Sequence, residues 1–462
     1  MKQFIENLNP VKFFLIFATI FGLVFLFITP PFQTPDEVVH FYRAYQISEG
    51  TFVVQKNGLA AGGFLPSSLS KTVLSTHMET IAANSNAKFN LKWLRNAASI
   101  KLDPSKKVFY NFVSTAYYTP IVYIFQSTGI LFGRLANLSP IYLMYLGRLG
   151  NLAEWILLIG LAIRLIPSKK WVLVAFGLLP MALFEAISLS ADSAALGLSA
   201  LSISLILYYR QRPSIMSWRD LTIFTLVFTA LIISKEIMFV FLPMVLLLPL
   251  SKIGSVRKRV VATFAVSILP LAMFILWILV VHSDKIASGA AFNPLPSQQI
   301  KFIISDPTGY LKVLWNTYFT TYGDYIYRSF IGIFGWLDTP LSILWVIIGY
   351  FTLLFLALTD YGKKVKSSLT RNDKLVVLCV LVFYLMAVST ALYAYYSPLK
   401  YPRIVGLQGR YFIPLIAVLL PVFANFDLVK TTKSFYKTYA ALAVPILLIA
   451  STVTIYMRYY VR

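Results

Sequence analysis

Long apolar runs, each near the length that crosses a bilayer, recur from one end of this chain to the other. After Lys12 the first continues without a charge to residue 30. Others lie near 141–163, 171–188, 194–209, 219–234, 237–250, 260–281, 340–359, 374–393, 411–425 and 438–456. About 20 apolar residues span the hydrocarbon core, and a backbone inside it must satisfy its own hydrogen bonds. Only 13% of residues are charged, against about a quarter in soluble domains. The expectation is an all-α polytopic integral membrane protein with about 11 transmembrane helices (roughly 10–13). A soluble enzyme, an outer-membrane barrel and a disordered chain are excluded together.

The single cysteine, Cys379, leaves no internal disulfide and no cysteine-clustered metal site. His40, His77 and His282 are scattered, which speaks against zinc. The net charge of +23 suggests nucleic acid in a soluble protein. Here it marks loop orientation, and no nucleic-acid partner is expected.

The basic joints carry Arg164, Lys169 and Lys170; Arg210, Arg212 and Arg219; Lys252, Arg257, Lys258 and Arg259. Further on come Lys363, Lys364, Lys366, Arg371 and Lys374, and then Lys430, Lys433 and Lys437. Two runs separate each joint from the next, so one parity puts all of them, with Lys2 and Lys12, on the cytoplasmic side. That parity requires the candidate run 113–133 not to cross. Pro120, Gln126 and the tyrosines Tyr110, Tyr117, Tyr118 and Tyr123 suit a helix lying at the outer interface. The first run lacks a cleavage pattern and is expected to be retained. The expected topology is a multi-pass membrane protein with a cytoplasmic N-terminus and an outer C-terminus. Residues 1–462 read as one transmembrane domain, with a first outer loop at 31–140 and a second large outer loop at 282–339.

Charged residues at the outer ends of the runs are the chemical candidates. Pro35-Asp36-Glu37 opens a helix in which His40 and Arg43 share a face with Asp36. A carboxylate, an imidazole and a guanidinium there can move a proton from a hydroxyl and hold a phosphate. A capped helix with a solvated face accounts for the same residues. Asp192 lies among serines and small residues in SLSADSAA, with Glu185 nearby. A carboxylate in hydrocarbon costs about 2.5–3.5 kcal/mol on insertion scales. Lys235 sits at an outer joint against the positive-inside trend, which makes it a candidate anion ligand, and an internal Lys235–Glu236 pair is the plainer account. Gln408, Arg410 and Tyr411 stand at the mouth of a helix whose free N–H groups suit a phosphate. Trp336 and Asp338, in FGWLDTP, suit a sugar face or equally the interfacial aromatic belt.

TPPFQTPDEVVHFYRAYQISEG after the first run, SLSADSAA at 188–195, GWLDTP at 335–340 and QGRYFIPL at 408–415 resemble the bacterial membrane-protein family catalogued as domain of unknown function 2142. That family is similar to the GT-C superfamily of integral-membrane glycosyltransferases, which take sugars from polyprenyl-phosphate carriers on the outer face. The superfamily carries an acidic pair in the first outer loop, followed by surface helices. Asp36 and Glu37 match the pair, 113–133 matches a surface helix, and Asp192 resembles the second outer-loop acid. Lys235 and Arg410 resemble the cations that meet the carrier phosphate.

The resemblance implies a glycosyltransferase that moves a sugar from a polyprenyl-phosphate-linked donor to an envelope acceptor: a polysaccharide, teichoic acid or glycolipid. Asp36, Glu37 and Asp192 are the expected catalytic acids, with Asp36 as base in an inverting transfer. Arg410, Lys235 and Arg43 would bind donor phosphate, and His40, Gln408, Tyr411, Trp336 and Asp338 would bind substrate. A divalent cation (Mg²⁺, Mn²⁺ or Ca²⁺) on Asp36 and Asp192 is a possible cofactor, and membrane lipids are the other partners. A transporter or flippase of a lipid-linked intermediate and a non-catalytic envelope assembly protein are the alternatives. A transport pathway would place polar residues at mid-bilayer depth, whereas these gather at one end.

Overall fold

The computed structural model describes residues 7–58, 60–282, 295–360, 369–424 and 433–461. The beginning of the expected second loop (283–294), the basic joint residues Lys363, Lys364, Lys366 and Lys430, and Lys2 lie outside them.

The chain is a multi-pass membrane protein made mostly of helices. Among the described residues, six helices are long and apolar enough to cross a membrane. They are α1 (Pro10–Ile28), α8 (Pro140–Leu165), α11 (Asp192–Gln211), α13 (Val256–Val281), α18 (Arg371–Tyr396) and α20, whose apolar length is Phe435–Tyr460. Shorter apolar helices cover Glu236–Leu247, Ile343–Thr359 (α17) and Gly409–Phe423. The run 219–234 forms α12 (Trp218–Ser234), started by a capping box in which Ser217 and Asp220 bond each other's backbone. The run 171–188 forms two short helices, α9 (Lys170–Gly177) and α10 (Pro180–Ala186). The break precedes Pro180, which has no N–H to continue the first helix.

Between α1 and α8 come α2 (Glu37–Ser48), α3 (Ser67–Ser75), α4 (Met78–Ala83) and α5 (Leu91–Ser99). An antiparallel sheet β1-β2-β3 (Gln55–Asn57, Ala60–Pro66, Lys107–Asn111) accompanies them. The sheet is an addition to the expected helices. β2 reads AAGGFLP, and Gly62 lies flush against Tyr110, where a Cβ would stand 1.7 Å from its carbonyl oxygen. The run 113–133 is broken, as Pro120 dictates, into α6 (Val113–Ala116), a 3₁₀ turn Pro120–Tyr123 and α7 (Ile124–Leu135). α7 lies tightly on α8: a Cβ at Gly129 would come within 2.3 Å of the Leu146 oxygen, and one at Gly150 within 2.2 Å of the Phe125 oxygen.

Before α17 come α14 (Pro296–Ser305), α15 (Pro307–Tyr318), α16 (Thr321–Ile331) and a two-stranded hairpin of β4 (Ile333–Phe334) and β5 (Thr339–Pro340). The hairpin turns at Gly335 (φ 63°) and Leu337 (φ 67°). α19 (Pro414–Phe423) follows a 3₁₀ turn at Gly409–Phe412.

Candidate active site

A cavity of about 400 Å³ draws its walls from segments far apart in the chain. Asp36, His40, Asp192, Lys235, Gln408, Arg410 and Tyr411 all line it. Glu185, Tyr118, Glu236, Tyr384 and Tyr396 join them, and Leu196, Ile237, Met238, Val388, Leu392 and Pro414 make an apolar side.

Asp36 precedes α2 in left-handed backbone (φ 61°, ψ 6°) and does not cap it. Its side chain is exposed and makes no hydrogen bond or ion pair with the described residues. Among the described residues, no first-turn N–H donates to the Asp36 carboxylate. One turn on, His40 is buried, and its Nδ1 lies 2.7 Å from the Tyr123 hydroxyl. Its ring lies parallel to Tyr118 at 9°, with centroids 6.0 Å apart. Burial pushes the imidazole down to about 4, against the upward pull of Asp36 and Asp192. His40 is therefore neutral near pH 7, and Nε2 has no partner among the described residues.

The turn ahead of Asp192 is pinned from α8. Asn151 Nδ2 donates to the Ser188 carbonyl at 2.9 Å, while its Oδ1 accepts from Ser193 Oγ and from Gln126 Nε2, each at 2.7 Å. Asp192 forms an ion pair with Lys235, which follows the last residue of α12. The ammonium lies 5.6 Å from the Tyr118 ring centroid and 5.7 Å from that of Tyr411.

Arg410 is buried and ion-paired with Glu185 of α10, and its Nε and the Gln408 Oε1 have no hydrogen-bond partner among the described residues. The N–H of Gly409 donates to Ser329 Oγ at 2.7 Å, and Tyr384 donates to the Tyr411 carbonyl at 3.0 Å, which fixes this entry to α19.

Four other candidates lie outside the cavity. Glu37 is fully buried and gripped by Arg148, whose Nε and Nη2 reach its two oxygens at 2.7 and 2.6 Å. Arg43 is buried against Gln46 Oε1 and the Phe52 carbonyl, both at 2.6 Å, so it does not share the cavity with Asp36. Trp336 Nε1 donates to the Phe32 carbonyl at 3.0 Å. Asp338 accepts from Arg458 Nε at 2.7 Å.

Lys235 occupies the Asp192 carboxylate, and no three His, Cys, Asp or Glu side chains converge among the described residues.

Sequence reasoning did not single out Arg148, Asn151, Tyr384 or Tyr396, and it gave Glu185 and Tyr118 no role. Glu185 did carry a signal, since a carboxylate within an apolar run needs a partner.

Residues 18–419 match the family described as "Predicted membrane protein (DUF2142)". The chain belongs to this family. Its match extends from within α1 to within α19 and so includes every residue of the cavity. No curated protein matches the chain.

Proposed function

We propose that this DUF2142 protein is a glycosyltransferase that transfers a sugar from a polyprenyl-phosphate-linked donor to an envelope acceptor on the outer face of the bacterial plasma membrane. One observation carries the reading: Asp36, a carboxylate with no hydrogen bond or ion pair among the described residues, shares a cavity with two cations, Lys235 and Arg410, and with an apolar wall.

Asp36 takes the proton of the acceptor hydroxyl as its oxygen attacks the anomeric carbon. The bond from that carbon to the phosphate oxygen breaks, and the electron pair leaves with the carrier phosphate, inverting the configuration. Arg410 and Lys235, which both line the cavity, stabilise the charge on that leaving group. Neutral His40, held through Nδ1, offers Nε2 to orient a hydroxyl. Tyr118, Tyr396 and Tyr411 supply ring faces for sugar. Asp192 and Glu185 hold the two cations in place. The apolar side receives the first isoprenoid units.

The test compares the sugar composition of surface polymer in an Asp36→Asn strain and a deletion strain, with protein level matched. Loss of the same sugar in both supports the reading, and that sugar identifies the donor. A normal polymer in Asp36→Asn cells, beside a defect in the deletion strain, removes Asp36 as base and turns attention to transport or assembly.

A further inference from the structure

Three residues outside the cavity, Arg148, Glu37 and Trp336, converge on the stretch of chain that leads to Asp36. Arg148 ties down its beginning, donating to the carbonyls of Leu26 (3.2 Å), Thr29 (2.9 Å) and Pro30 (3.1 Å) while gripping Glu37 just past its end. Trp336 holds its middle through the Phe32 carbonyl at 3.0 Å. The hairpin that carries Trp336 is itself anchored, because Asp338 in its turn is ion-paired with Arg458 of α20.

The held backbone is a strained one. Phe32 (φ 60°) and Asp36 (φ 61°) are both left-handed without being glycine. A non-glycine residue keeps that conformation only where its surroundings over-determine it. Proline at positions 30, 31 and 35 stiffens the stretch further. An exposed carboxylate with no partner of its own is thus aimed by its backbone alone.

We propose that Arg148, Glu37 and Trp336 are positioning residues for Asp36: they clamp residues 29–37 so that the Asp36 carboxylate is presented to the cavity. The catalytic half of this assignment rests on the reading of Asp36 as base. The positional half does not. A small displacement of a catalytic group costs up to about 100-fold in rate, so this clamp is where the site's geometry is set.

The experiment uses the full chain in lipid nanodiscs. Cys379 is the sole cysteine, so Cys379→Ala with Asp36→Cys gives one attachment point for a nitroxide spin label. The expected spectrum is a single restrained component. Adding Trp336→Phe, which keeps the ring and deletes the N–H, or Glu37→Gln, which keeps the shape and deletes the charge, brings in a mobile component. An unchanged spectrum in both variants overturns the proposal. In cells, Trp336→Phe with Asp36 intact should lower the polymer sugar that depends on Asp36 by about tenfold at unchanged protein level and melting temperature. Wild-type sugar content beside a mobilised label overturns the catalytic half. A normal polymer in Asp36→Asn cells overturns the function proposed above, while the label still reports on the clamp.

Discussion

Asp36 and Glu37 are neighbours in the chain, yet Asp36 stands exposed in the cavity with no partner among the described residues while Glu37 is sealed at 0% exposure in a two-point grip from Arg148. An acidic pair that looks like one motif is thus two devices. The difference arises at the Asp36 backbone: its left-handed turn sends successive side chains to different surroundings.

The two acids should therefore fail differently. Glu37→Ala leaves the Arg148 guanidinium buried without its counter-charge, a change that costs about 3–5 kcal/mol. The expected outcome is loss of protein from the membrane and a lower melting temperature in detergent. Asp36→Asn should leave both as in the wild type and abolish sugar transfer. Thermal unfolding of the two purified variants beside a transfer assay checks the split.

Arg410 should not be replaceable by lysine. Its guanidinium is paired with Glu185 while also lining the cavity, a division of donors that a single ammonium cannot reproduce. Arg410→Lys is expected to raise the KM for the polyprenyl-phosphate donor by about tenfold, the equivalent of one lost charge-assisted hydrogen bond. Glu185→Gln instead releases the same guanidinium from its carboxylate, and should lower KM while slowing turnover, because the freed side chain is no longer held at a set position. Initial-rate kinetics over a donor series decides it.

His40 gives the protein a pH-dependent stability. Burial holds the imidazole at about 4 in the folded state, against 6.5 when exposed. Below 6.5 the unfolded chain takes up a proton that the folded chain refuses. This contribution is therefore fully present above about pH 6.5 and is lost as pH falls towards 4, at about 1.4 kcal/mol per pH unit. The melting temperature should drop between pH 7 and pH 5, and His40→Gln should flatten that part of the slope.

The residues legible beforehand were those whose charge had no reason to be where it was. Asp192 among small residues, Lys235 against the orientation trend and Arg410 at a helix mouth each broke a local pattern, and all three line the cavity. Arg148 and Glu185 sit inside apolar runs, and their partners lie 111 and 225 positions away in sequence. No local rule reveals such a pairing. Trp336 and Asp338 stood out for their residue types, but an indole serves a backbone carbonyl as readily as a sugar. The long apolar helices announced themselves by hydropathy and the break at Pro120 by its missing N–H, whereas 171–188 read as one run and the break before Pro180 went unread. The sheet did not, because Gly62 and Gly63 read as loop until a second strand presses against them.

The contact between α7 and α8 should tolerate no side chain at its closest points. A Cβ at Gly150 would lie 2.2 Å from the Phe125 oxygen, a backbone atom that cannot rotate away. Gly150→Ala must push the helices apart, at a cost of about 1–3 kcal/mol. Asn151 is the next residue, and it holds both Gln126 and the Ser188–Ser193 turn, so sugar transfer should fall together with melting temperature. Gly160→Ala, in the same helix but with its nearest atom at 3.5 Å, is the matched control and should change neither.

The last expectation concerns competition for one ammonium. Asp192 holds Lys235 by an ion pair, and a donor phosphate in the cavity meets the same cation. Lys235→Met should raise donor KM, whereas Asp192→Asn, which releases the ammonium from its carboxylate, should lower it. The same Asp192→Asn change should slow turnover, because the freed lysine keeps the faces of Tyr118 and Tyr411 but no longer a charge at a set position. Opposite shifts of KM from the two halves of one ion pair are hard to obtain from general damage, which moves both in the same direction. Donor titration of the two variants reads this directly, and a rise of KM in Asp192→Asn would mean that the carboxylate itself contacts the donor.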